Sequence, residues 1–324
     1  MDQPVAVIKS SVKIIGLAFL IVLGMAIAQF VSNTTGRPSL GKTLVAKEAG
    51  KTLTYNVLHA EPETRLPLFM IPSLGRPASD FNELAAEMVR DGHSVYFLDP
   101  RNFFLDSGQS SKNITLFNLA DDVETIRRDA GLDTIVVIGH AFGNRVARAY
   151  ATSYPETTSA VITIAAGGVQ TITDDMRMAL TRSFWGFLPD SWRQTYIRNA
   201  FFADGNDIPD YWLKGWHIRV SRLQIEATQN TDADLWWSGG QAPILAIQGR
   251  QDTLAPPEET GDILRAQYPE RVSLVTLSPA GHALLPEQPT AIKTAISQFL
   301  AIHGQAFATS AQSLSPKEDV YGTE

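Results

Sequence analysis

The fold of this chain is decided by TIVVIGHAFGNRVAR, residues 134–148. Residues 134–138 are apolar or β-branched, a pattern typical of a strand buried in a parallel sheet. Residues 139–143, GHAFG, then predict a tight turn, and a helix is expected from residue 144 onward. The central residue of such a turn adopts a strained backbone conformation, and only small flanking residues allow the strand and the helix to pack so closely.

The same alternation of strand and helix continues on both sides of this stretch. A β-hairpin is expected at 43–58, and further strands at 66–71, 94–98, 160–165, 243–248 and 272–277. Helices are expected at 80–90, 116–129, 257–268 and 289–303. This order predicts an α/β fold, with a doubly wound, mostly parallel sheet covered by helices on both faces.

The alternation stops after Gly167. Residues 168–240 contain short helical pieces and all six tryptophans of the chain, so we expect an inserted helical cap there, between core segments 43–167 and 241–303. The indoles either line an apolar pocket or only pack the cap onto the sheet. We expect one or two to face a ligand, and the candidates for the substrate pocket are Trp185, Trp212, Trp216 and His217.

The N-terminus holds an apolar run over residues 14–28, preceded by Lys9 and Lys13. The pattern Ala-Ile-Ala at 26–28 fits the cleavage site of a signal peptide, but the length of the run also fits a membrane anchor. Either alternative makes the protein exported: periplasmic or secreted, or held at the membrane by residues 1–31. Residues 32–42 form a polar linker, and the polar tail at 304–324 is expected to be disordered.

Composition excludes several classes of function. The net charge is −7, which argues against nucleic-acid binding through a basic surface. The chain has no cysteine and therefore no disulfide, no thiol nucleophile and no thiolate metal site. No histidine pair has the spacing of metal ligands, so we predict neither a metal nor a cofactor.

The pattern Gly139-x-Ala141-x-Gly143 between a strand and a helix resembles the nucleophile elbow of the α/β-hydrolase superfamily. Asp252 and His282 each follow a later predicted strand, in the order nucleophile, acid, base that this family uses. The resemblance covers residues 43–303. It implies an α/β-hydrolase fold with an inserted cap, and a catalytic site at the carboxyl ends of the strands.

The resemblance also implies an oxyanion hole of two backbone N–H groups, one from Phe142 and the other from Ser73 or Leu74. The sequence departs from the family pattern at two places. The nucleophile position holds Ala141, and Pro72-Ser73 stands where many relatives have His-Gly. A methyl group cannot attack a carbonyl, so the covalent route through an acyl-enzyme is closed.

The function expected from this resemblance is hydrolysis of a small, apolar ester, lactone or amide. His282, oriented by Asp252, would activate water in place of the missing serine. Two alternatives stay open. The chain is a binding or sensory protein that kept the fold without the chemistry, or a serine esterase in which alanine has replaced the nucleophile. In each case the expected partner is a small molecule, with the membrane contacted only through an uncleaved N-terminal segment.

Overall fold

The computed structural model describes residues 3–48, 51–99, 113–168 and 172–313. Its centre is a sheet of eight strands in the order β1-β2-β4-β3-β5-β6-β7-β8. The strands are β1 (Lys42–Glu48), β2 (Lys51–Leu58), β3 (Leu68–Ile71), β4 (Val95–Leu98), β5 (Ile135–His140), β6 (Thr158–Ile164), β7 (Ile244–Gly249) and β8 (Val272–Leu277). The hairpin β1–β2 is antiparallel and joins β4 in antiparallel pairing. The other strands run parallel, as the sequence predicts.

Ten helices are present in the described parts of the chain. They are α1 (Gln3–Thr34), α2 (Asn82–Arg90), α3 (Leu116–Asp129), α4 (Gly143–Ser153), α5 (Asp174–Ser183), α6 (Asp190–Phe201), α7 (Ile218–Gln229), α8 (Gly261–Gln267), α9 (Leu284–Glu287) and α10 (Pro289–Ser313). Short 3₁₀ turns precede α2, α8 and strand β6.

Both faces of the sheet are buried, because alternate residues of each central strand point into different cores. In β3, Phe69 and Ile71 belong to the core beneath α3 and α4, whereas Leu68 and Met70 belong to the core beneath α2 and α10. A strand with both faces covered must be apolar throughout, and this explains the uninterrupted hydrophobic runs in the sequence. The doubly wound α/β architecture is thereby confirmed.

Between β6 and β7 the chain leaves the sheet and forms α5, α6 and α7. We call residues 172–240 the inserted segment. It has an aromatic core of its own, built around Phe184, Phe201, Trp212 and Trp216. Residues of the sheet's loops, among them Leu254 and Ala283, belong to the same core, so the inserted segment is packed against the loops that follow β7 and β8.

Some element boundaries differ from those predicted. Strand β5 continues to His140, since Gly139 and His140 still pair with Thr163 and Ile164 of β6. The last helix runs to Ser313 and so includes the first residues of the predicted tail, while residues 314–324 lie outside the described residues. At the N-terminus, α1 continues to Thr34 and takes up the start of the predicted linker.

Candidate active site

The elbow at the end of β5 is a tight turn with a strained central residue, as its sequence predicts. Ala141 has a backbone φ of 48°, in the left-handed region that non-glycine residues rarely adopt. A Cβ on Gly139 would overlap the backbone of Gly143, and a Cβ on Gly143 would overlap the carbonyl oxygen of Ile71. The two glycines therefore bring strand, helix and the β3 loop into direct contact, with Ala141 at the tip of the turn.

The loops after β7 and β8 bring Asp252 and His282 together. Nδ1 of His282 lies 2.8 Å from Oδ2 of Asp252, and both side chains are buried, His282 being 7% exposed. The other carboxylate oxygen, Oδ1, accepts hydrogen bonds from the backbone N–H groups of Leu254 (2.9 Å) and Ala255 (2.8 Å). An imidazole that donates from Nδ1 to a fixed carboxylate keeps Nε2 as its basic nitrogen.

Close backbone packing fixes the distance between these two loops. A Cβ on Gly249, the last residue of β7, would overlap the carbonyl oxygen of Gly281. Gln248 adds a side-chain link, because its Oε1 accepts from the N–H of Ala166 (2.8 Å) and its Nε2 donates to the carbonyl of Ala255 (3.2 Å). The ends of β6, β7 and β8 are thereby held as one unit.

His140, the last residue of β5, contacts the backbone of His282, the candidate general base. Its Nε2 is 3.0 Å from the backbone carbonyl oxygen of His282, which can only accept a hydrogen bond. Burial lowers the pKa of His140 to about 3, with a smaller contribution from repulsion by His282. His140 is thus neutral and donates from Nε2, and it positions the His282 loop through the backbone.

The predicted donors of the oxyanion hole are three backbone N–H groups on the elbow and the β3 loop. Within the described residues, the N–H groups of Ser73, Leu74 and Phe142 donate to no acceptor, although Ser73 and Phe142 are buried. The contact of Gly143 with Ile71 holds the β3 loop beside the elbow. Free, buried donors on adjacent loops are what an oxyanion site requires, and their identity does not depend on the side chains.

The inserted segment holds the β3 loop from the other side. Gly75 has a φ of 60°, its N–H donates to Oε1 of Gln224 (2.6 Å), and its carbonyl accepts from the N–H of His217 (2.9 Å). A Cβ on Gly75 would press on the ring of Phe184 and the carbonyl of His217. His217 therefore contacts the backbone of the loop that carries Ser73 and Leu74.

Of the three predicted pocket tryptophans, Trp212 and Trp216 lie together with ring centres 5.8 Å apart, and Trp185 lies apart from them. Trp212 and Trp216 are buried, and the guanidinium of Arg76 lies 4.5 Å from the centre of each indole ring. Arg76 also makes two hydrogen bonds of 2.8 Å to the carboxylate of Asp80. Trp185, in contrast, is on the surface, where it stacks on Phe187 with ring centres 5.8 Å apart.

Glu287, which no sequence pattern indicates, connects the inserted segment to the His282 loop. Its Oε2 accepts from the N–H of Gly281 (2.7 Å), and its Oε1 accepts from the N–H of Ala203 and Nδ2 of Asn206 (2.7 Å each). Burial raises the pKa of this carboxyl. A second link runs from the N–H of Ala283 to the carbonyl of Phe201 (2.7 Å). In the described parts of the chain, no three His, Asp or Glu side chains are grouped as metal ligands would be.

Comparisons with known proteins agree on the fold. A family model described as alpha/beta hydrolase fold matches residues 67–211. A carboxylesterase from Bacillus subtilis superimposes with a TM-score of 0.66 at 15% identity, covering 88% of this chain and 98% of its own. A thermophilic esterase from Thermogutta terrifontis gives 0.64 at 18% identity, over 81% of this chain and 100% of its own. A bacterial membrane phospholipase A gives 0.62 at 15% identity, over 92% and 97%.

Proposed function

The chain has the α/β-hydrolase fold, and on that premise we propose that it hydrolyses carboxylic esters of small, apolar molecules, with water as the nucleophile. Lactones, which are cyclic esters, and small amides would be cleaved by the same transfer of an acyl group to water. The hydrogen bond between His282 and Asp252 is the observation that carries this proposal. A buried carboxylate that is held by two backbone N–H groups and faces one imidazole nitrogen is the arrangement that makes histidine a general base.

In the proposed reaction, His282 takes a proton on Nε2 from a water molecule as its oxygen attacks the acyl carbon. Asp252 stays ionised and stabilises the imidazolium that forms. The oxygen of the tetrahedral intermediate accepts hydrogen bonds from the N–H of Phe142 and from Ser73 or Leu74. When the C–O bond to the leaving alcohol breaks, His282 returns the proton to the alkoxide.

Because the elbow carries alanine, esters are expected to be better substrates than ordinary amides. Without a seryl oxygen at position 141 there is no acyl-enzyme, so the leaving group is expelled in the same cycle in which water attacks. An alkoxide is the easier group to expel. The similar carboxylesterase and esterase structures support the same substrate class at the level of the fold.

The test compares His282→Ala and Ala141→Ser with the unaltered protein on p-nitrophenyl esters of graded chain length. His282→Ala is expected to reduce hydrolysis about 10²- to 10⁴-fold, the usual contribution of a general base. Exposed His59, which lies against Tyr96, provides the matched control as His59→Ala. Equal rates in the His282→Ala variant and the unaltered protein would contradict the proposal.

Ala141→Ser is expected to raise the turnover of esters at least about 10²-fold, since a triad serine contributes up to ~10⁶ in related sites. It should also make the protein react with fluorophosphonates, which the unaltered protein should not do. The free N–H of Phe142 would then donate a hydrogen bond to the carbonyl oxygen of the new acyl-enzyme. No gain of turnover and no labelling would mean that Ala141 and His282 do not share a site.

A second candidate is a ligand-binding protein of the same fold, and Ala141 is the observation that favours it. This candidate predicts affinity for an apolar ligand, no turnover, and binding that is unchanged in His282→Ala. Calorimetric titration with the substrate analogues, run beside the kinetic assay, distinguishes the two candidates.

A further inference from the structure

The C-terminal turns of α1 are attached to the inserted segment. The buried side chain of Asn33 donates from Nδ2 to the carbonyl of Gly186 (2.8 Å), and its backbone carbonyl accepts from the N–H of Trp216 (3.2 Å). One turn earlier, Nε2 of Gln29 donates to Oδ1 of Asp190 (2.9 Å). These contacts fix the direction in which the helix leaves the body of the protein.

From residue 15 up to these contacts, α1 is apolar and exposed. The stretch Ile15–Thr34 has a hydropathy of 2.3 and none of its most apolar window is buried. Twenty helical residues extend about 30 Å, which matches the hydrocarbon thickness of a bilayer. Ser32 and Asn33, near the end of this stretch, are its first consecutive polar residues, so the turn that contacts the inserted segment is also the turn where a bilayer's hydrocarbon would end.

The residues beside these contacts form an exposed aromatic surface. Trp185 and Phe187 flank Gly186 and are 36% and 53% exposed, and Trp192, two residues after Asp190, is 63% exposed. A Cβ on Gly186 would lie 3.2 Å from the ring of Phe30, which places this surface level with the last turns of the apolar run. We call Trp185, Phe187 and Trp192 the aromatic face.

The surroundings of the aromatic face are those of a membrane interface. Tryptophan is enriched at the headgroup level, where its ring is apolar and its N–H stays hydrated. Next to the face, a shallow surface groove includes Met178, Arg182 and an ion pair between Arg177 and Asp174 (3.1 Å), and the guanidinium of Arg182 lies 5.9 Å from the ring of Trp185. Basic side chains beside exposed apolar ones favour contact with lipid headgroups.

We propose that α1 is retained as a membrane anchor and that the aromatic face lies in the headgroup region of the same bilayer. The partner is the lipid surface itself, and the proposal does not depend on whether the site at His282 is catalytic. The inserted segment then faces the membrane, while the sheet lies farther from it.

The positions of the tryptophans allow a direct test in the full-length protein. All six lie between residues 185 and 237 and none lies in α1, so the fluorescence reports only on the body of the protein. Trp212, Trp216 and Trp236 are buried, which leaves Trp185 and Trp192 as the indoles that lipid can reach on the aromatic face. The probe is phosphatidylcholine brominated either near the headgroup or near the end of the acyl chain.

The full-length protein is reconstituted in nanodiscs of each brominated lipid. Lipid brominated near the headgroup should quench the fluorescence more than lipid brominated at the chain end. The double variant Trp185→Phe/Trp192→Phe should lose most of this quenching, and phenylalanine keeps the apolar character of both positions. The matched control is Trp237→Phe, since Trp237 contacts Arg148 and Gln267 instead of the aromatic face.

Several results would overturn the proposal. Quenching that is absent, or that is the same in the double variant, would show that the aromatic face does not meet lipid. Absent quenching together with a concentration-dependent dimer would assign the face to a second copy of the chain. Recovery of the protein from cells only in a form that begins after Ala28 would exclude a retained anchor, and intact-mass measurement of the membrane fraction checks this.

Discussion

At the carboxyl edge of the sheet, the candidate acid is held by backbone groups that are its neighbours in the sequence, whereas the inserted segment meets a buried charged side chain that is far from it in the sequence. Asp252 is fixed by the N–H groups of Leu254 and Ala255. Arg76, in contrast, contacts two tryptophans of the inserted segment. We therefore expect stability to be most sensitive to substitutions that alter the backbone at this edge. At the contact with the inserted segment, we expect it to be most sensitive to substitutions that remove a buried charge.

The largest effect is expected from Gly139→Ala at the sheet edge. The new methyl group would overlap the backbone of Gly143, which cannot move because it already contacts Ile71. We expect a loss of more than about 4 kcal/mol in the free energy of unfolding, enough to abolish folding of many domains. Thermal unfolding followed by circular dichroism measures this. Gly131→Ala, where a Cβ would contact nothing but φ is 66°, isolates the cost of the backbone conformation.

A smaller but still large effect is expected from Arg76→Met in the contact with the inserted segment. This change leaves the carboxylate of Asp80 buried without its cation, which costs about 3–5 kcal/mol in comparable pairs. Denaturant unfolding provides the measurement. Arg90→Met, which removes an exposed pair with Glu87, should leave the transition nearly unchanged. If Arg76→Met and Arg90→Met cost the same, the buried charge of Arg76 does not contribute to stability.

The effect that is smallest near neutral pH concerns the titration of His140, whose side chain contacts the backbone of His282 at the sheet edge. Its pKa is about 3 in the folded chain and about 6.5 when unfolded, so the unfolded chain binds the extra proton between these values. Stability should thus fall as pH is lowered from 6.5 towards 3, by at most about 1.4 kcal/mol per pH unit from this group.

His140→Gln keeps a donor for the carbonyl of His282 and removes the titrating ring. The decline of stability between pH 6.5 and 3 should become shallower in this variant, as measured by denaturant unfolding at a series of pH values. His59→Gln, at an exposed histidine, serves as the control substitution. An unchanged slope in His140→Gln would assign the acid sensitivity to other groups.

The same contrast explains how much of the molecule could be predicted from sequence. Helix Leu116–Asp129 and strand Val272–Leu277 have the predicted bounds. The helix begins at a local capping box of Thr115 and Asn118, and the strand is an apolar run between turn residues. The elbow and the Asp252–His282 pair also follow from short patterns placed after strands, since the sheet brings the ends of its strands together.

Interactions across long separations in the sequence could not be predicted in this way. Glu287 lies in a short helix, and nothing in its neighbours indicates that its carboxylate meets Ala203, which is 84 residues away. The sequence likewise does not indicate which of the six tryptophans are buried. Trp212 and Trp216 lie on either side of Arg76, whereas Trp185 lies on the surface. Only the path of the inserted segment distinguishes them.

The carboxylate of Glu287 has a consequence for how any ligand enters. It bonds at once to Ala203 in the inserted segment and to Gly281, the residue before His282. If the segment swings outward to admit a molecule, one of these bonds must break or the turn bearing the imidazole must follow. On the proposed mechanism, admission and proton transfer would then be successive phases of a single movement, and a molecule too bulky to let the segment return would occupy the site without being hydrolysed.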